Sequence, residues 1–375
     1  MKFKAFLLDQ WIQQNSGAEF HLGGSTGPRW TTRELLALER DATTETMLDL
    51  KVTHPPTSGS LGLREAIAEM QGVSAEEVIV MAGSAEALFH IFYLAALPGA
   101  NILVPFPCFS SYEAIPESLG FEIRHYQLPR KNSYRVDVDE VKSLADSKTK
   151  ILVVNSPHNP TGATLNNEEM RQLHDFCAER GIQFVSDEVF HPIYHGRETD
   201  SAARLTHATV VGDFSKALAL PGLRLGWIIE RDRSRRHEYL NAREYVSVSN
   251  TPMGEFLGEI VIRHRDKVWG RTREVAGFNL KLLDEVMTEN ADVIDWVRPQ
   301  GGMTAFARPA YGANGRAFCQ AALERGLLLA PGDCWNVPDH FRIGFGVGRE
   351  WYPQAMERFA EFLGAWCRVA QASIS

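Results

Sequence analysis

A lysine and an arginine lie eight residues apart in "VVGDFSKALALPGLRLGW", Val210 to Trp227, just after a run of β-branched residues. A lysine that is neutral part of the time can act as a nucleophile or as a base. An arginine can bind an anionic group through several N–H donors. Lys216 alone would more often be a surface residue at the end of a strand, so its chemistry depends on the motifs around it.

Three further polar motifs follow predicted strands. Gly83 and Ser84 begin a helix directly after a strand in "AGSAEAL", Asn159 lies in "VNSPHNPTG", and Asp187 lies in "SDEVF". Free N–H groups at a helix start can hold an anion, and a buried carboxylate needs a cation or a hydrogen-bond donor. Because open α/β sheets bind ligands at the carboxyl ends of their strands, we expect these residues to form one site with Lys216.

The elements that would position these residues alternate between short β-rich runs and helices from about residue 76. This alternation is typical of a sheet covered by helices on both faces, and nearly continuous apolar runs are typical of parallel strands. We therefore predict an α/β fold with a mainly parallel seven-stranded sheet between helices. The predicted strands are "EVIVMAG", "NILVP", "FEIRHYQL", "KILVVNSP", "IQFVSDEVF", "ATVVGDF" and "LRLGWIIE".

The two ends of the chain predict a second, smaller α+β unit. A long helical region from about Pro252 to Asn290 precedes the strands in "VIDWVRPQGGMTAFARP", "LLLAPG" and "FRIGFGV" and a last helix. The first ~45 residues are too few to form a core alone, so they should pack on this unit. We predict a large domain over residues 47–270 and a small domain formed by residues 1–46 and 271–375.

Composition and charge exclude several classes of function. The net charge of −8 and the pI near 5.9 argue against a nucleic-acid partner, which requires a concentrated basic surface. The sequence contains no apolar run of the ~20 residues that span a bilayer, and Asp9 and Gln10 interrupt any signal-peptide core. The five cysteines are scattered and never in C-x-x-C spacing, which predicts reduced thiols and no metal site. We expect a cytoplasmic protein.

The motifs "PHNPTG", "DEVF" and "DFSKALALPGLRLGW", in this order, resemble those of the class I/II pyridoxal-phosphate aminotransferases of fold type I. The resemblance extends to an early "GSLGLREAIA" and a late "FRIGFGVG" and so covers nearly the whole chain. It implies a pyridoxal 5'-phosphate cofactor bound by the large domain and amino transfer between an L-amino acid and a 2-oxo acid. It also implies a homodimer, because the family builds its sites between subunits.

The resemblance assigns a role to each motif. Lys216 would form a Schiff base with the cofactor aldehyde and later shuttle a proton, and Asp187 would pair with the protonated ring nitrogen. Asn159 would donate to the ring oxygen, and Arg342 in "FRIGFG" would grip the substrate carboxylate. The remaining implied contacts are Phe109 and Phe190 near the ring, Gly24 and Asn159 near the substrate, and Gly83, Ser84, Ala85, Ser215 and Arg224 near the phosphate.

Three positions depart from the family pattern. Phe190 stands where the family usually has a tyrosine that donates to the ring oxygen. Asp213 replaces a serine or threonine that commonly touches the phosphate, and an ionised carboxylate cannot donate a hydrogen bond. We expect Asp213 either to turn away or to pair with a cation such as Arg224. His54 replaces a tyrosine that often reaches the phosphate of the neighbouring subunit.

Alternative functions share parts of this pattern. A lyase that eliminates a β-substituent, such as a C–S lyase, or a cyclase like capreomycidine synthase would use the same cofactor, and the missing tyrosine at Phe190 gives these readings weight. A non-catalytic ligand sensor on the same fold conflicts with the retained Lys216. A nicotinamide dehydrogenase is excluded because no strand precedes G-x-G-x-x-G. Side-chain selectivity should lie in loops of the N-terminal segment, including "HLGGSTGPRW", and of the partner subunit, and the aromatic residues Trp30 and Tyr194 are candidates for it.

Overall fold

The computed structural model describes residues 3–39, 43–310 and 312–372. The helices are α1 Leu7–Gln14, α2 Thr32–Leu36, α3 Thr43–Leu48, α4 Leu61–Gln71, α5 Ser84–Ala95, α6 Ser111–Ser118, α7 Val138–Leu144, α8 Asn167–Arg180, α9 Arg233–Arg243, α10 Pro252–Arg263, α11 Arg265–Glu289, α12 Gly315–Leu323 and α13 Tyr352–Ala372. The strands are β1 Phe20–His21, β2 Val78–Met81, β3 Asn101–Phe106, β4 Glu122–Gln127, β5 Thr149–Asn155, β6 Gln183–Asp187, β7 Ala208–Asp213, β8 Gly226–Ile229, β9 Ile294–Trp296, β10 Thr304–Pro309, β11 Leu327–Leu328, β12 Ala330–Pro331 and β13 Phe341–Gly344.

A seven-stranded sheet in the order β2-β8-β7-β6-β5-β3-β4 forms the centre of the molecule. Alternate residues of β2 enter different cores, since Val78 and Val80 pack on one face of the sheet and Ile79 and Met81 on the other. Apolar side chains on both faces explain why the strands read as continuous hydrophobic runs. The predicted α/β fold with a mainly parallel seven-stranded sheet is confirmed.

Strand β8 is antiparallel to both of its neighbours, β2 and β7. The chain reverses after β7 through a turn that contains Lys216 and a short 3-10 helix at Pro221–Leu223. The reversal brings backbones close together: a methyl group at Gly226 would lie 2.7 Å from the Gly83 carbonyl carbon. Gly226 is therefore required where β8 passes the start of α5, whereas Gly222 faces open space.

A second, four-stranded antiparallel sheet in the order β12-β13-β10-β9 lies with the C-terminal helices. Its core also contains Phe20 and Leu22 from the N-terminal segment, and β1 pairs in parallel with β11. Leu8 and Leu35, by contrast, join the core of the large sheet. The N-terminal segment thus contacts both units, and we propose the division into residues 47–270 and residues 1–46 with 271–375 from the β1–β11 pairing and the packing of Phe20 and Leu22.

The long helical region expected from Pro252 to Asn290 consists of two helices, α10 and α11, which meet at His264. Helix α11 joins both units, because Val268 packs in the core of the large sheet and Ala276 packs in the core of the small one. The end of α8 at Gly181 is as predicted, with a left-handed φ of 67°. None of the helices in the described ranges is long and apolar enough to cross a membrane.

Candidate active site

Lys216 lies in the turn after β7, at the carboxyl edge of the central sheet. Its Nζ donates a hydrogen bond to Ser25 Oγ at 3.0 Å, and Ser25 comes from the N-terminal segment. Burial lowers the pKa of the Lys216 amine, the charge of Asp213 opposes that shift, and the charge of Arg342 reinforces it. A desolvated amine with a lowered pKa is neutral more often than a surface lysine, so it is suited to nucleophilic chemistry.

Asp187 ends β6 and is only 3% exposed. Its Oδ2 accepts a 2.6 Å hydrogen bond from the Tyr112 hydroxyl, and its Oδ1 accepts one from Val189 N at 3.2 Å. Burial raises the pKa of Asp187 to about 6 even though both hydrogen bonds lower it. Asp187 forms no salt bridge with any described residue, so a cation that arrived here would relieve the cost of its burial.

Arg342 projects from β13 and is 2% exposed. Its Nη1 donates to Asn159 Oδ1 at 3.0 Å, its Nη2 donates to Gly23 O at 2.6 Å, and its guanidinium lies over the Trp335 ring at 4.6 Å. Within the described ranges its buried Nε has no partner. Burial lowers the pKa of Arg342 to about 10. A buried cation that contacts only neutral acceptors favours binding of an anion such as a carboxylate.

The segment after β5 connects Asp187 and Arg342 through hydrogen bonds. Asn155 Nδ2 donates to Asp187 O at 3.0 Å, and Asn155 Oδ1 accepts from Asn159 N at 2.8 Å. Asn159 Oδ1 is held by Arg342, and its Nδ2 has no hydrogen bond to the part of the chain that the structure describes. Asn159 is thus positioned from both sides and keeps one N–H pair to offer a ligand.

The start of α5 meets the end of β7. Asp213 Oδ2 accepts a 2.8 Å hydrogen bond from Ser84 N, and Asp213 Oδ1 accepts one from Ser215 N. Arg224 instead donates to Pro221 O at 3.0 Å and to Ala82 O at 3.4 Å. The expected pairing of Asp213 with Arg224 is therefore wrong: the two side chains form no salt bridge, and backbone N–H groups hold the carboxylate.

The two predicted aromatic residues lie in different surroundings. The Phe109 ring packs edge-on against Tyr112 with centroids 5.8 Å apart, which places it beside the partner of Asp187. Phe190 is 1% exposed, and a methyl group at Gly302 would lie 3.5 Å from its ring. An apolar ring enclosed in this way has no need of a polar partner.

Several other predicted residues lie further from these contacts. Gly24 O abuts Gly344, and it is Gly23 O, not Gly24 O, that accepts from Arg342. Exposed His54 lies 3.3 Å from Ser249 Oγ through its Nδ1. The guanidinium of Arg271 covers the Trp30 ring, and the Tyr194 hydroxyl contacts His191 and Thr199. Ala85, like Ser84, lies in the first turn of α5.

The sequence analysis missed several contacting residues, among them Tyr112, Ser25 and Trp335. Tyr112 follows Phe109 by three residues, a spacing that puts both rings on the same side of a helical turn. Ser25 stands in the glycine-rich stretch "HLGGSTGPRW", and Trp335 lies seven residues before Arg342. Only Tyr112 could have been expected from the sequence, because a buried carboxylate such as Asp187 requires a hydrogen-bond donor and Tyr112 is close in the chain to the predicted Phe109.

Comparison with known proteins identifies similar chains over nearly the whole length. A sequence model of the family "Aminotransferase class I and II" matches residues 44–359. The chain is 28% identical over 368 residues to a capreomycidine synthase of Streptomyces vinaceus, covering 96% of this chain and 94% of that protein. It is 28% identical over 320 residues to an arginine–pyruvate transaminase of Pseudomonas aeruginosa, covering 80% of each. A solved PLP-dependent cyclase has a TM-score of 0.88 and 25% identity, covering 97% of this chain and 98% of that one.

Proposed function

The chain belongs to the aminotransferase class I and II family, and from that premise we propose that it moves an amino group between an L-amino acid and a 2-oxo acid. Pyridoxal phosphate is its cofactor. The main support for the proposal is one arrangement: hydrogen bonds through Asn159 and Asn155 connect the Arg342 guanidinium to the backbone of Asp187, where the buried Lys216 amine also feels both charges. An amine, a carboxylate and a guanidinium so arranged can serve an amino-acid substrate and this cofactor.

The residues of the site fit pyridoxal phosphate. Asp187 is a buried carboxylate without a salt-bridge partner in the described ranges, and a protonated ring nitrogen would provide the missing cation. Ser84 Oγ and Ser215 Oγ have no hydrogen bond to described residues, and with Ala85 N and Arg224 they are donors for a phosphate. Asn159 Nδ2 is a donor for the ring oxygen. Only Asp213, an acceptor among these donors, does not match an anionic group.

When bound, pyridoxal phosphate supplies an aldehyde that condenses with an amine and a ring that accepts the electron pair released at the substrate Cα. Lys216 must lose a proton from Nζ before it can act as a nucleophile. Because burial lowers the pKa of Lys216, the neutral amine is present at a lower pH than on the surface. The same neutral Nζ can accept the proton that leaves the substrate Cα.

Asp187 would hold the cofactor ring, and Arg342 would hold the substrate. Asp187, fixed by Tyr112 and Val189 N, would keep a nearby ring nitrogen protonated. Arg342 would hold the substrate α-carboxylate, which fixes the orientation of the Cα–H bond relative to Lys216.

An assay of both products tests the proposal. Purified protein would be incubated with a panel of L-amino acids, each with and without a 2-oxo acid. A transaminase forms the new 2-oxo acid and the new amino acid in equal amounts, and only when the acceptor is present. Lys216→Ala serves as the inactive control. Release of ammonia without an acceptor would contradict amino transfer as the main reaction.

A pyridoxal-phosphate lyase or cyclase is the second candidate. Two observations favour it. The first is the similarity to a capreomycidine synthase and to a solved cyclase. The second is Phe190, at the position where the family usually has a tyrosine. A lyase would release a 2-oxo acid and ammonia without an acceptor. A cyclase would consume its amino acid without forming either product, and mass spectrometry of the reaction mixture would detect the cyclic amino acid.

We also propose a homodimer, and a cytoplasmic location remains a prediction from the sequence. Support for the homodimer comes from apolar side chains that are at least half exposed on two segments joined by the Thr57–Glu244 and His54–Ser249 contacts. These side chains are Leu48, Val52, Leu61, Tyr245 and Val246. Light scattering should give twice the chain mass, and Tyr245→Ser with Val246→Ser should shift the protein toward the monomer. A monomeric native protein would contradict the proposal.

A further inference from the structure

The Asp213 carboxylate lies among the donors proposed for the cofactor phosphate. It is 5% exposed, and both of its oxygens are used, one by Ser84 N at the start of α5 and one by Ser215 N. Helix α5 is twelve residues long, so the N–H groups of its first turn attract negative charge. One of these N–H groups is thus already bound to a carboxylate of the protein itself.

The remaining donors face the same small region. A methyl group at Gly83 would lie 2.9 Å from Arg224 Nη2 and 3.5 Å from Asp213 Oδ2, so both side chains approach the same glycine. Ser215 is 8% exposed, and its Oγ has no partner among the described residues. We call Ser84, Ala85, Ser215, Arg224 and Asp213 the phosphate cup.

The negative charge of Asp213 is not cancelled by a contacting cation. Its carboxylate forms no salt bridge within the part of the chain that the structure describes, and Arg224 is directed to carbonyl oxygens instead. The charge of Asp213 acts to raise the pKa of Lys216, but the Lys216 amine donates its hydrogen bond to Ser25. A second anion in the cup would therefore meet a fixed like charge at short range.

We propose that Asp213 sets the affinity for the cofactor by competing with the phosphate group: its carboxylate takes the Ser84 N–H, and its charge repels the phosphate. The inference rests on the proposed location of the phosphate at the start of α5. The phosphate then binds to the Ser84 and Ser215 hydroxyls, Ala85 N and Arg224. Asp213 weakens the hold on pyridoxal phosphate but has no such effect on pyridoxal, which lacks the phosphate.

The test compares the affinities of pyridoxal phosphate and of pyridoxal for the full chain stripped of cofactor, measured by absorbance titration. Asp213→Asn keeps the shape and one acceptor oxygen, and Asp213→Ser introduces a hydroxyl donor. Both variants should bind pyridoxal phosphate roughly tenfold more tightly, with pyridoxal unchanged. Inorganic phosphate should compete more strongly in both variants than in the native protein. Asp292→Asn, at an exposed position just before β9 with no ion pair to a described residue, controls for the loss of one negative charge.

The outcomes separate this inference from the proposed location of the phosphate. Arg224→Ala should weaken pyridoxal phosphate and leave pyridoxal unchanged; if it affects neither, the phosphate lies elsewhere. If Arg224→Ala behaves as expected but the Asp213 variants bind pyridoxal phosphate equally or less tightly, the competition is refuted. Equal losses for both ligands would show a purely structural Asp213, and thermal unfolding of each variant would identify that case.

Discussion

The two ends of the candidate site present opposite charges to an anionic ligand. At the Arg342 end, formed by Arg342, Asn159, Gly23 and Trp335, the contacts of a buried cation with described residues are all to neutral groups. At the phosphate cup, a carboxylate of the protein already occupies a donor that an anion would use. We therefore expect an anion to be attracted at the Arg342 end and repelled by Asp213 at the cup. If so, two anionic groups of similar chemistry would be held with different strength in one site.

Lys216 lies between the two ends, and its loss is expected to have the largest effect. Lys216→Ala removes the amine that both ends serve, so turnover should be abolished and borohydride should no longer fix a cofactor adduct. The affinity for inorganic phosphate should change little, because the phosphate cup remains intact. Absorbance and mass spectrometry of the reduced protein provide the measurement. A covalent adduct in the variant would place the chemistry on another lysine.

Asp187→Asn should have opposite effects on turnover and on the stability of the fold at high pH. Turnover should fall roughly a hundredfold or more, because a neutral amide no longer keeps the ring nitrogen protonated. Burial raises the pKa of Asp187 to about 6, above the ~3.9 of an unfolded chain. Such a group favours folding below about pH 4, and this contribution is lost as the pH rises through 6.

The cofactor-free Asp187→Asn variant should therefore be more stable than the native protein at pH 8, by about 3 kcal/mol, and not at pH 4. Denaturant unfolding at the two pH values measures this difference. Equal stability at pH 8 would show that the Asp187 carboxylate is not costly, and near-normal turnover would remove Asp187 from the mechanism.

Arg342 variants compare the two ends directly. Arg342→Ala should lower kcat/KM by about 10²- to 10³-fold, because the substrate carboxylate loses a buried, charge-assisted partner. Arg342→Lys should recover part of the loss, since a single ammonium cannot form the bidentate fork. The affinity for pyridoxal phosphate should remain native, which is the reverse of the effect expected for Asp213→Asn. A large loss of cofactor affinity in Arg342→Ala would mean that the two ends do not act separately.

The sequence predicts well those features that are local in the chain. Asp187 and Lys216 follow apolar strands, and polar groups at the ends of neighbouring strands must meet at one edge of a sheet. The direction of β8 could not be predicted, because a short apolar strand looks the same in either direction. The partners of Asp213 and of Lys216 lie 129 and 191 residues away, so only the folded chain reveals that Ser84 N and Ser25 contact them.

Phe190→Tyr is expected to have the smallest effect. It concerns the cofactor ring, which would lie between the Arg342 end and the phosphate cup. If Phe190 lies beside the ring oxygen, the added hydroxyl would donate to that oxygen and stabilise its negative charge. The pKa of the visible band of the bound cofactor should then fall in a spectrophotometric titration. Because Phe190 is fully buried against Gly302, the extra oxygen should also cost about 1–3 kcal/mol of stability. An unchanged or raised pKa in a folded variant with native cofactor affinity would show that residue 190 does not contact the ring oxygen.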